Sequence, residues 1–196
     1  STELKSSDVY LIAVPTPEKD HKCDLGYVMS AVESISKVAK DGQLVLLEST
    51  VKPNTCKDHL QKHFKNIGLN LEIAFTPERA FPGNTLHELV FNDRVVGGLT
   101  PRATELAREV YASFVKGEIF QTTATCAESV KLFENTFRDV NIALANEFEE
   151  VARELDINIW EVIKLANKHP RVNILNPGPG VGGHCIAIDP WFLVED

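Results

Sequence analysis

Cys185 is the residue with the greatest chemical potential, because it lies in a glycine-rich segment between two other reactive side chains. His184 precedes it directly, and Asp189 follows four residues later. The glycines of 178–183 allow backbone N–H groups to approach a bound ligand closely. A thiol in such a loop can act as a nucleophile. A buried cysteine that only fills core space is the other interpretation, and the spacing leaves both open.

The same segment matches the pattern GxGxxG at Gly178, Gly180 and Gly183. A dinucleotide-binding turn of this kind needs a strand directly before it and a helix directly after it. Here Pro177 and Pro179 flank the first glycine, and the cysteine follows where the helix should begin. We therefore interpret the segment as a shaped loop and not as a dinucleotide fingerprint.

Lys131 and Asn135 form a second candidate set, because they lie four residues apart in a helix-like pattern. Residues at this spacing project from the same helical face. From the spacing alone, the simplest interpretation is a polar face in contact with solvent. Glu128 lies on the same face, and we expect it to position Lys131 and not to react.

The hydrophobic pattern predicts the elements that carry these side chains. The first apolar run, 9–14, suits a strand buried on both faces of a parallel sheet. Further strands are predicted at 43–47, 71–75, 94–98 and 118–121, and helices at 25–39, 53–66 and 100–114. The repeated βα units predict an α/β fold that contains part of a doubly wound, mainly parallel Rossmann-like sheet.

A long helix is predicted from 124 to 155, where apolar residues recur at alternating steps of three and four. Such a helix has more apolar surface than one small domain can cover, so we expect it to form a homodimer. The alternative is that a C-terminal domain outside these residues covers the apolar stripe. A shorter helix is predicted at 158–167. We therefore expect a sheet domain over 1–122 and a helical dimerisation domain with the cysteine loop over 123–196.

The composition argues against several classes of function. A formal net charge of −8 and scattered Lys and Arg residues argue against nucleic acid as a partner. No apolar run is long enough to span a bilayer, and no secretory signal opens the chain. The four cysteines form no CxxC pair, so we expect no metal site and a reducing, cytoplasmic environment.

Five segments match known signatures in the same order along the chain. Three follow predicted strands, at 14–17 (VPTP), 48–50 (EST) and 76–79 (TPER), and two lie at 127–147 and 182–190. Together they resemble the UDP-glucose/GDP-mannose dehydrogenase family. The resemblance implies NAD as the cofactor, with the sheet domain as the C-terminal part of an NAD-binding domain. It also implies that the GxGxxG turn and a second Rossmann-like domain lie outside these 196 residues.

The resemblance implies an enzyme that oxidises C6 of a UDP-sugar to a carboxylate through two hydride transfers. Cys185 is then expected to be the nucleophile, which forms a thiohemiacetal and then a thioester. Lys131 and Asn135 are expected to bind the sugar and to stabilise the oxyanion at C6. Thr50 is expected to contact NAD and to hold the hydrolytic water, and Asp189 is expected to hold this water or to support Lys131.

The same resemblance assigns roles to five further residues. Glu78 is expected to act in thioester hydrolysis, and Thr16 to contact NAD. Gly182 and Gly183 are expected to bind the substrate. Arg171 is expected to reach the substrate of the partner subunit, so that activity requires a dimer. An arginine that caps a helix end is the alternative interpretation.

Two positions bear on which sugar is oxidised. Ile188 stands where the UDP-glucose enzymes have a lysine, and Pro82 stands where they have a glutamate. The N-acetylhexosamine branch of the family is the one that the segments 81–84 and 185–192 resemble. The expected substrate is therefore UDP-N-acetyl-D-mannosamine, with UDP-N-acetylglucosamine and UDP-glucose as alternatives.

Two functions of other classes compete with this interpretation. As an isolated piece, the chain could be an inert dimerisation scaffold. A cysteine hydrolase would use Cys185 with a histidine, but it leaves Lys131 and Thr50 unexplained.

Overall fold

The computed structural model describes residues 4–80, 83–183 and 185–194. The strands are β1 (Val9–Ile12), β2 (Glu18–Lys19), β3 (Lys22–Cys23), β4 (Leu44–Leu47), β5 (Glu72–Phe75), β6 (Arg94–Gly98) and β7 (Ile119–Thr123). The helices are α1 (Gly26–Ser36), a π-helix (Cys56–Gln61), α2 (Lys62–Asn66), α3 (Thr85–Phe91), α4 (Pro101–Ala112), α5 (Ala124–Glu154), α6 (Ile159–Ala166) and α7 (Trp191–Val194). Phe81, Pro82 and His184, which entered the sequence predictions, lie outside the described residues.

A mainly parallel sheet, as predicted, forms the centre of the α/β fold. Its strand order is β1-β4-β5-β6-β7, and β1, β4 and β5 run parallel to one another, as do β6 and β7. The β5–β6 pair is antiparallel. A parallel crossover needs a helix packed on the sheet, whereas α3, the helix between these strands, has no buried residue. The short hairpin of β2 and β3 lies outside this sheet.

Helices cover both faces of the sheet. Leu44 and Leu46 of β4 pack with Ala107 and Tyr111 of α4 in one core cluster. Side chains alternate along a strand, so Val45 and Leu47 point to the face opposite that of Leu44 and Leu46. Both are fully buried, and α1 and the π-helix supply the helical contacts near that face.

Two details of the predicted elements are wrong. The first strand is not buried on both faces, because Val9 is 36% and Leu11 53% exposed. Among the described residues β1 is an edge strand, and α4 packs on β4 to β7. The predicted helix 53–66 begins with the π-helix at Cys56 and becomes an α-helix only at Lys62. The hairpin, α3 and α7 were not predicted, because elements this short have no clear hydrophobic period.

The chain divides into two compact units, and the division falls inside α5. One unit runs to Leu132 and includes the segment from Trp191, and the other is Phe133–Pro190. The predicted boundary at 122/123 lies at the end of β7, just before α5 begins at Ala124. Within the described residues, no helix has the length and apolar character needed to cross a membrane.

The sheet core provides a stability test with a matched control. Leu46 is fully buried, whereas Leu11, its partner across the β1–β4 ladder, is 53% exposed. We expect Leu46→Ala to lower the free energy of unfolding by about 2–5 kcal/mol, because it leaves a cavity under α4. Leu11→Ala should cost about 1 kcal/mol or less. Urea denaturation of both variants measures this, and equal losses would contradict the packing described here.

Candidate functional site

Three candidate residues lie just beyond the ends of parallel strands. Thr16 follows β1, Thr50 follows β4 and Glu78 follows β5. Because the carboxyl ends of parallel strands meet at one edge of a sheet, these segments are brought together. The Thr16 hydroxyl donates to the Thr50 carbonyl oxygen at 2.6 Å. Ser49 Oγ accepts from the N–H of Val14 and donates to its carbonyl oxygen. Three hydrogen bonds therefore join the segment after β1 to the segment after β4.

Lys131 is held at the same edge. Its Nζ donates to the Glu78 carbonyl oxygen at 2.8 Å, and its side chain is half-buried. An ammonium group has three donors, and among the described residues one of them is used, so two remain for a ligand. The Glu78 carboxylate accepts through Oε1 from the N–H groups of Arg79 and Ala80, at 2.7 and 2.5 Å. These bonds fix the turn after β5.

Arg94, which the sequence analysis did not single out, joins two carboxylates at this edge. It opens β6, which runs antiparallel to β5 and therefore begins where β5 ends. Its guanidinium lies 3.4 Å from Glu48 Oε1 and 3.3 Å from Glu78 Oε2. It also lies 4.6 Å from the centre of the Tyr111 ring. The feature of the sequence that could have identified Arg94 is a charged residue at the start of an apolar strand.

Tyr111 completes this buried cluster. Its hydroxyl donates to Glu48 Oε1 at 2.5 Å and is hydrogen-bonded to Thr76 Oγ1 at 2.7 Å. Burial raises the pKa of the Tyr111 hydroxyl, and the charge of Glu48 raises it further. We call this group the Arg94 cluster, which consists of Arg94, Glu48, Glu78, Tyr111 and Thr76.

Glu128 does not have the partner that was predicted for it. Its carboxylate accepts from the N–H groups of Asn54 and Cys56, at 2.7 and 2.8 Å, whereas Lys131 donates to Glu78. Asn54 has a φ of 70°, and its side chain accepts from Thr125 at 2.9 Å. Glu128 therefore ties the segment after Thr50 to α5. Burial raises the pKa of Glu128 and that of the Cys56 thiol.

In the second unit, Asn135 and Asp189 are brought together. Both are buried, and Asn135 Nδ2 donates to Asp189 Oδ2 at 2.5 Å. The N–H groups of Ile188 and Asp189 donate to the Cys185 carbonyl oxygen at 3.0 and 2.8 Å. This turn carries Cys185 close to the carboxylate along the chain. Cys185 is exposed, which is opposite to the interpretation that it fills core space.

The rest of the loop has no regular secondary structure, as predicted. Gly183 has a φ of 95°, which favours glycine, and a Cβ on Gly182 would meet no atom within 4 Å. The N–H of Gly178 donates to Asn146 Oδ1 of α5 at 2.9 Å, which anchors the loop to the helix. Arg171 is exposed. Its backbone N–H donates to His169 Nδ1 at 3.3 Å.

Comparison with known proteins identifies matches over nearly the whole chain. Residues 1–115 match the model of the UDP-glucose/GDP-mannose dehydrogenase family, NAD binding domain, and residues 125–196 match its central domain. A UDP-N-acetyl-D-mannosamine dehydrogenase from Methanococcus aeolicus is 58% identical, over 98% of this chain and 45% of the relative. An NDP-N-acetyl-D-galactosaminuronic acid dehydrogenase from Ralstonia nicotianae is 48% identical, over 100% of this chain and 49% of the relative.

A solved structure agrees with the fold. The UDP-D-ManNAc dehydrogenase from Pyrococcus horikoshii superposes with a TM-score of 0.92 at 47% identity, over 97% of this chain and 46% of that chain. The chain thus spans about half the length of the relatives that it matches.

Glu128 should make the stability of the chain depend on pH. Burial raises its pKa above the ordinary 4.5, so the folded chain keeps a proton that the unfolded chain releases. The free energy of unfolding should fall as the pH rises from about 4.5 through the folded-state pKa, by at most about 1.4 kcal/mol per pH unit. Urea denaturation between about pH 4 and 7 should show a smaller fall in the free energy of unfolding for Glu128→Gln, which cannot titrate.

Glu147→Gln, at an exposed position of α5, is the control. The same pH dependence in wild type and Glu128→Gln would contradict this account.

Proposed function

Because the chain belongs to the UDP-glucose/GDP-mannose dehydrogenase family, we propose that its full-length protein is an NAD-dependent 6-dehydrogenase of UDP-N-acetylhexosamines. UDP-N-acetyl-D-mannosamine is the proposed substrate. The names of the relatives at 58% and 48% identity support an N-acetylhexosamine. Ile188, in place of the lysine of UDP-glucose enzymes, supports the same choice.

The observation that carries this proposal is the fold of the cysteine loop. Cys185 is exposed, and its carbonyl accepts from the N–H of Asp189. Asp189 is only 4% exposed, and its carboxylate is held by Asn135. A buried carboxylate is costly to maintain unless it has a partner, and the Asn135 amide supplies one. This arrangement suits a nucleophile whose immediate polar surroundings are fixed before the substrate binds.

Lys131 and Asn135 supply charge stabilisation in the proposed reaction. They lie one turn apart on α5, so their side chains project from one face. Each retains donor groups: the ammonium of Lys131 gives one N–H to Glu78, and the amide of Asn135 gives one to Asp189. A cation and an amide that are already held in place can stabilise an oxyanion at C6 by several kcal/mol, as an order of magnitude.

Cys185 carries the covalent steps. After the first oxidation, the thiolate adds to the C6 aldehyde, a C–S bond forms, and the carbonyl electrons become an oxyanion. Loss of the remaining C6 hydrogen as hydride converts this thiohemiacetal to a thioester. Water then adds to the thioester carbon, the C–S bond breaks, and its electron pair returns to sulfur. The sum of the steps consumes one water and yields a carboxylate.

Glu78 and Thr50 serve the hydrolytic water in this proposal, and Asp189 supports the oxyanion site. Glu78 takes the proton of the attacking water, since its carboxylate is partly exposed and fixed by the following turn. Thr50 orients the water through its hydroxyl group. Asp189 holds the amide of Asn135 and, through it, the geometry around the oxyanion.

Thr16 and Thr50 are the residues that would hold the cofactor. Their side chains are half-buried at the end of the parallel strands, where ligands bind in open α/β sheets. The Thr16 hydroxyl donates to the Thr50 carbonyl and keeps its acceptor capacity. Uncharged hydroxyls fit the amide and hydroxyl groups of a dinucleotide. NAD, when bound, supplies the hydride acceptor for each oxidation.

A homodimer through α5 is part of the proposal. The exposed stripe along this helix consists of Phe133, Phe137, Val140, Leu144, Phe148, Val151 and Leu155. Leaving it in water costs about 25 cal/mol per Å² of apolar surface. A twofold-related copy of the same helix covers the stripe with no surface left unpaired. In this dimer, the loop glycines Gly182 and Gly183 contact the substrate of their own subunit. Arg171, which is exposed, contacts the substrate of the partner subunit.

Replacement of the nucleophile tests the covalent route. In the full-length protein, Cys185→Ser should stop after the first oxidation or accumulate an ester, because a hydroxyl is a poorer nucleophile and leaving group. Steady-state NADH formation should fall by about a thousandfold or more. Cys126→Ser, which changes the other exposed cysteine described, should be neutral. Normal turnover by Cys185→Ser would refute the assignment.

A charge placed in the stripe tests the dimer. Phe137 is 58% exposed, and Phe137→Glu should give a monomer or an aggregate, because the dimer would bury an unpaired carboxylate. Phe91→Glu is the control, since Phe91 on α3 is 50% exposed. Light scattering at micromolar concentration measures the mass. A well-folded wild-type chain that is monomeric would end this part of the proposal.

A further inference from the structure

The Arg94 cluster connects the ends of two strands through one guanidinium group. Arg94 donates to Glu48 at the end of β4 and to Glu78 after β5. The side chain of Arg94 is 6% exposed, that of Glu48 15% and that of Glu78 38%. The two carboxylates therefore differ in their access to solvent.

This difference assigns the two glutamates different tasks. Glu48 also accepts the Tyr111 hydroxyl, which in turn is bonded to Thr76. Glu48 is thus the less exposed counter-ion that fixes the guanidinium in place, together with the face of the Tyr111 ring. Glu78 is the partner that remains open on one side.

We propose that Arg94 is a positioning residue that holds the Glu78 carboxylate in the orientation required for thioester hydrolysis. This inference rests on the hydrolytic role proposed above for Glu78. Arg94 fixes Oε2, while the N–H groups of Arg79 and Ala80 fix Oε1. A carboxylate has about four lone-pair sites, so one remains free to accept a proton.

The proton and electron movements in this step are balanced. As water adds to the thioester carbon, a C–O bond forms and one water proton passes to Glu78. The C–S bond then breaks, and its electrons return to the sulfur of Cys185. Glu78 releases the proton to solvent through its exposed side. Arg94 neither gains nor loses a proton, because its guanidinium is always charged in proteins.

The test uses the full-length protein with NAD and UDP-N-acetyl-D-mannosamine. Arg94→Lys keeps a positive charge beside Glu48, but one ammonium cannot reproduce the planar, two-armed contact with both glutamates. We expect a rapid burst of two NADH for each active site. Steady-state turnover should then be slower by about tenfold or more, since hydrolysis loses an oriented base. Mass spectrometry after acid quench should find the sugar as an adduct on Cys185.

Two further variants keep this test interpretable. Glu78→Asp retains a carboxylate but shortens the side chain by one methylene, so it loses the contact with Arg94 without disturbing the buried part of the cluster. It should show the same burst and adduct, even if Arg94→Lys fails to fold. Arg102→Lys makes the same substitution at an exposed arginine outside the cluster, whose partner is Glu72, so hydrolysis should stay at the wild-type rate.

The possible failures are distinguishable. If Glu78→Gln gives no burst and no adduct while it turns over normally, the hydrolytic role of Glu78 itself is refuted. If Glu78→Gln accumulates the adduct but Arg94→Lys lowers the burst and the steady state equally without an adduct, Arg94 is only structural. Turnover of Glu78→Asp at the wild-type rate would also overturn the proposal, because the contact with Arg94 would then be unnecessary.

Discussion

The parallel alignment of β1, β4 and β5 is the constraint on which the candidate site depends. Parallel strands end at one edge, so the polar segments that follow them must share that edge. Short hydrogen bonds then join the segments: Thr16 to the Thr50 carbonyl, and Lys131 to the Glu78 carbonyl. Each bond uses a backbone carbonyl as acceptor. The side chains therefore depend on the main-chain path, and the path depends on the sheet.

The strand ends and α5 could be predicted from the sequence, because their signals are local. A buried parallel strand needs a continuous apolar run, and a long helix needs apolar residues at steps of three and four. Both patterns are read within one element. The turn of helix between Lys131 and Asn135 follows from the same local period. Their placement on one face of α5 needed no knowledge of the tertiary structure.

The partners of the buried charges could not be predicted in this way. Glu128 accepts from residues 54 and 56, more than seventy positions earlier in the chain. The role of Arg94 depends on the direction of β6, because only an antiparallel β6 begins at the edge where β5 ends. The exposure of Leu11 likewise depends on how far α4 extends across the sheet. Each of these is set by a long-range contact that no local period records.

The stoichiometry of NADH formation distinguishes the cysteine route from a single oxidation that releases an aldehyde. The full-length protein would be incubated with NAD and a panel of UDP-sugars, and NADH and uronate would be measured together with an aldehyde trap present. We expect two NADH for each uronate, no trapped aldehyde, and the highest kcat/KM with UDP-N-acetyl-D-mannosamine. One NADH for each sugar with release of a free aldehyde would contradict the cysteine route. A preference for UDP-glucose over every N-acetylhexosamine would contradict the proposed substrate class.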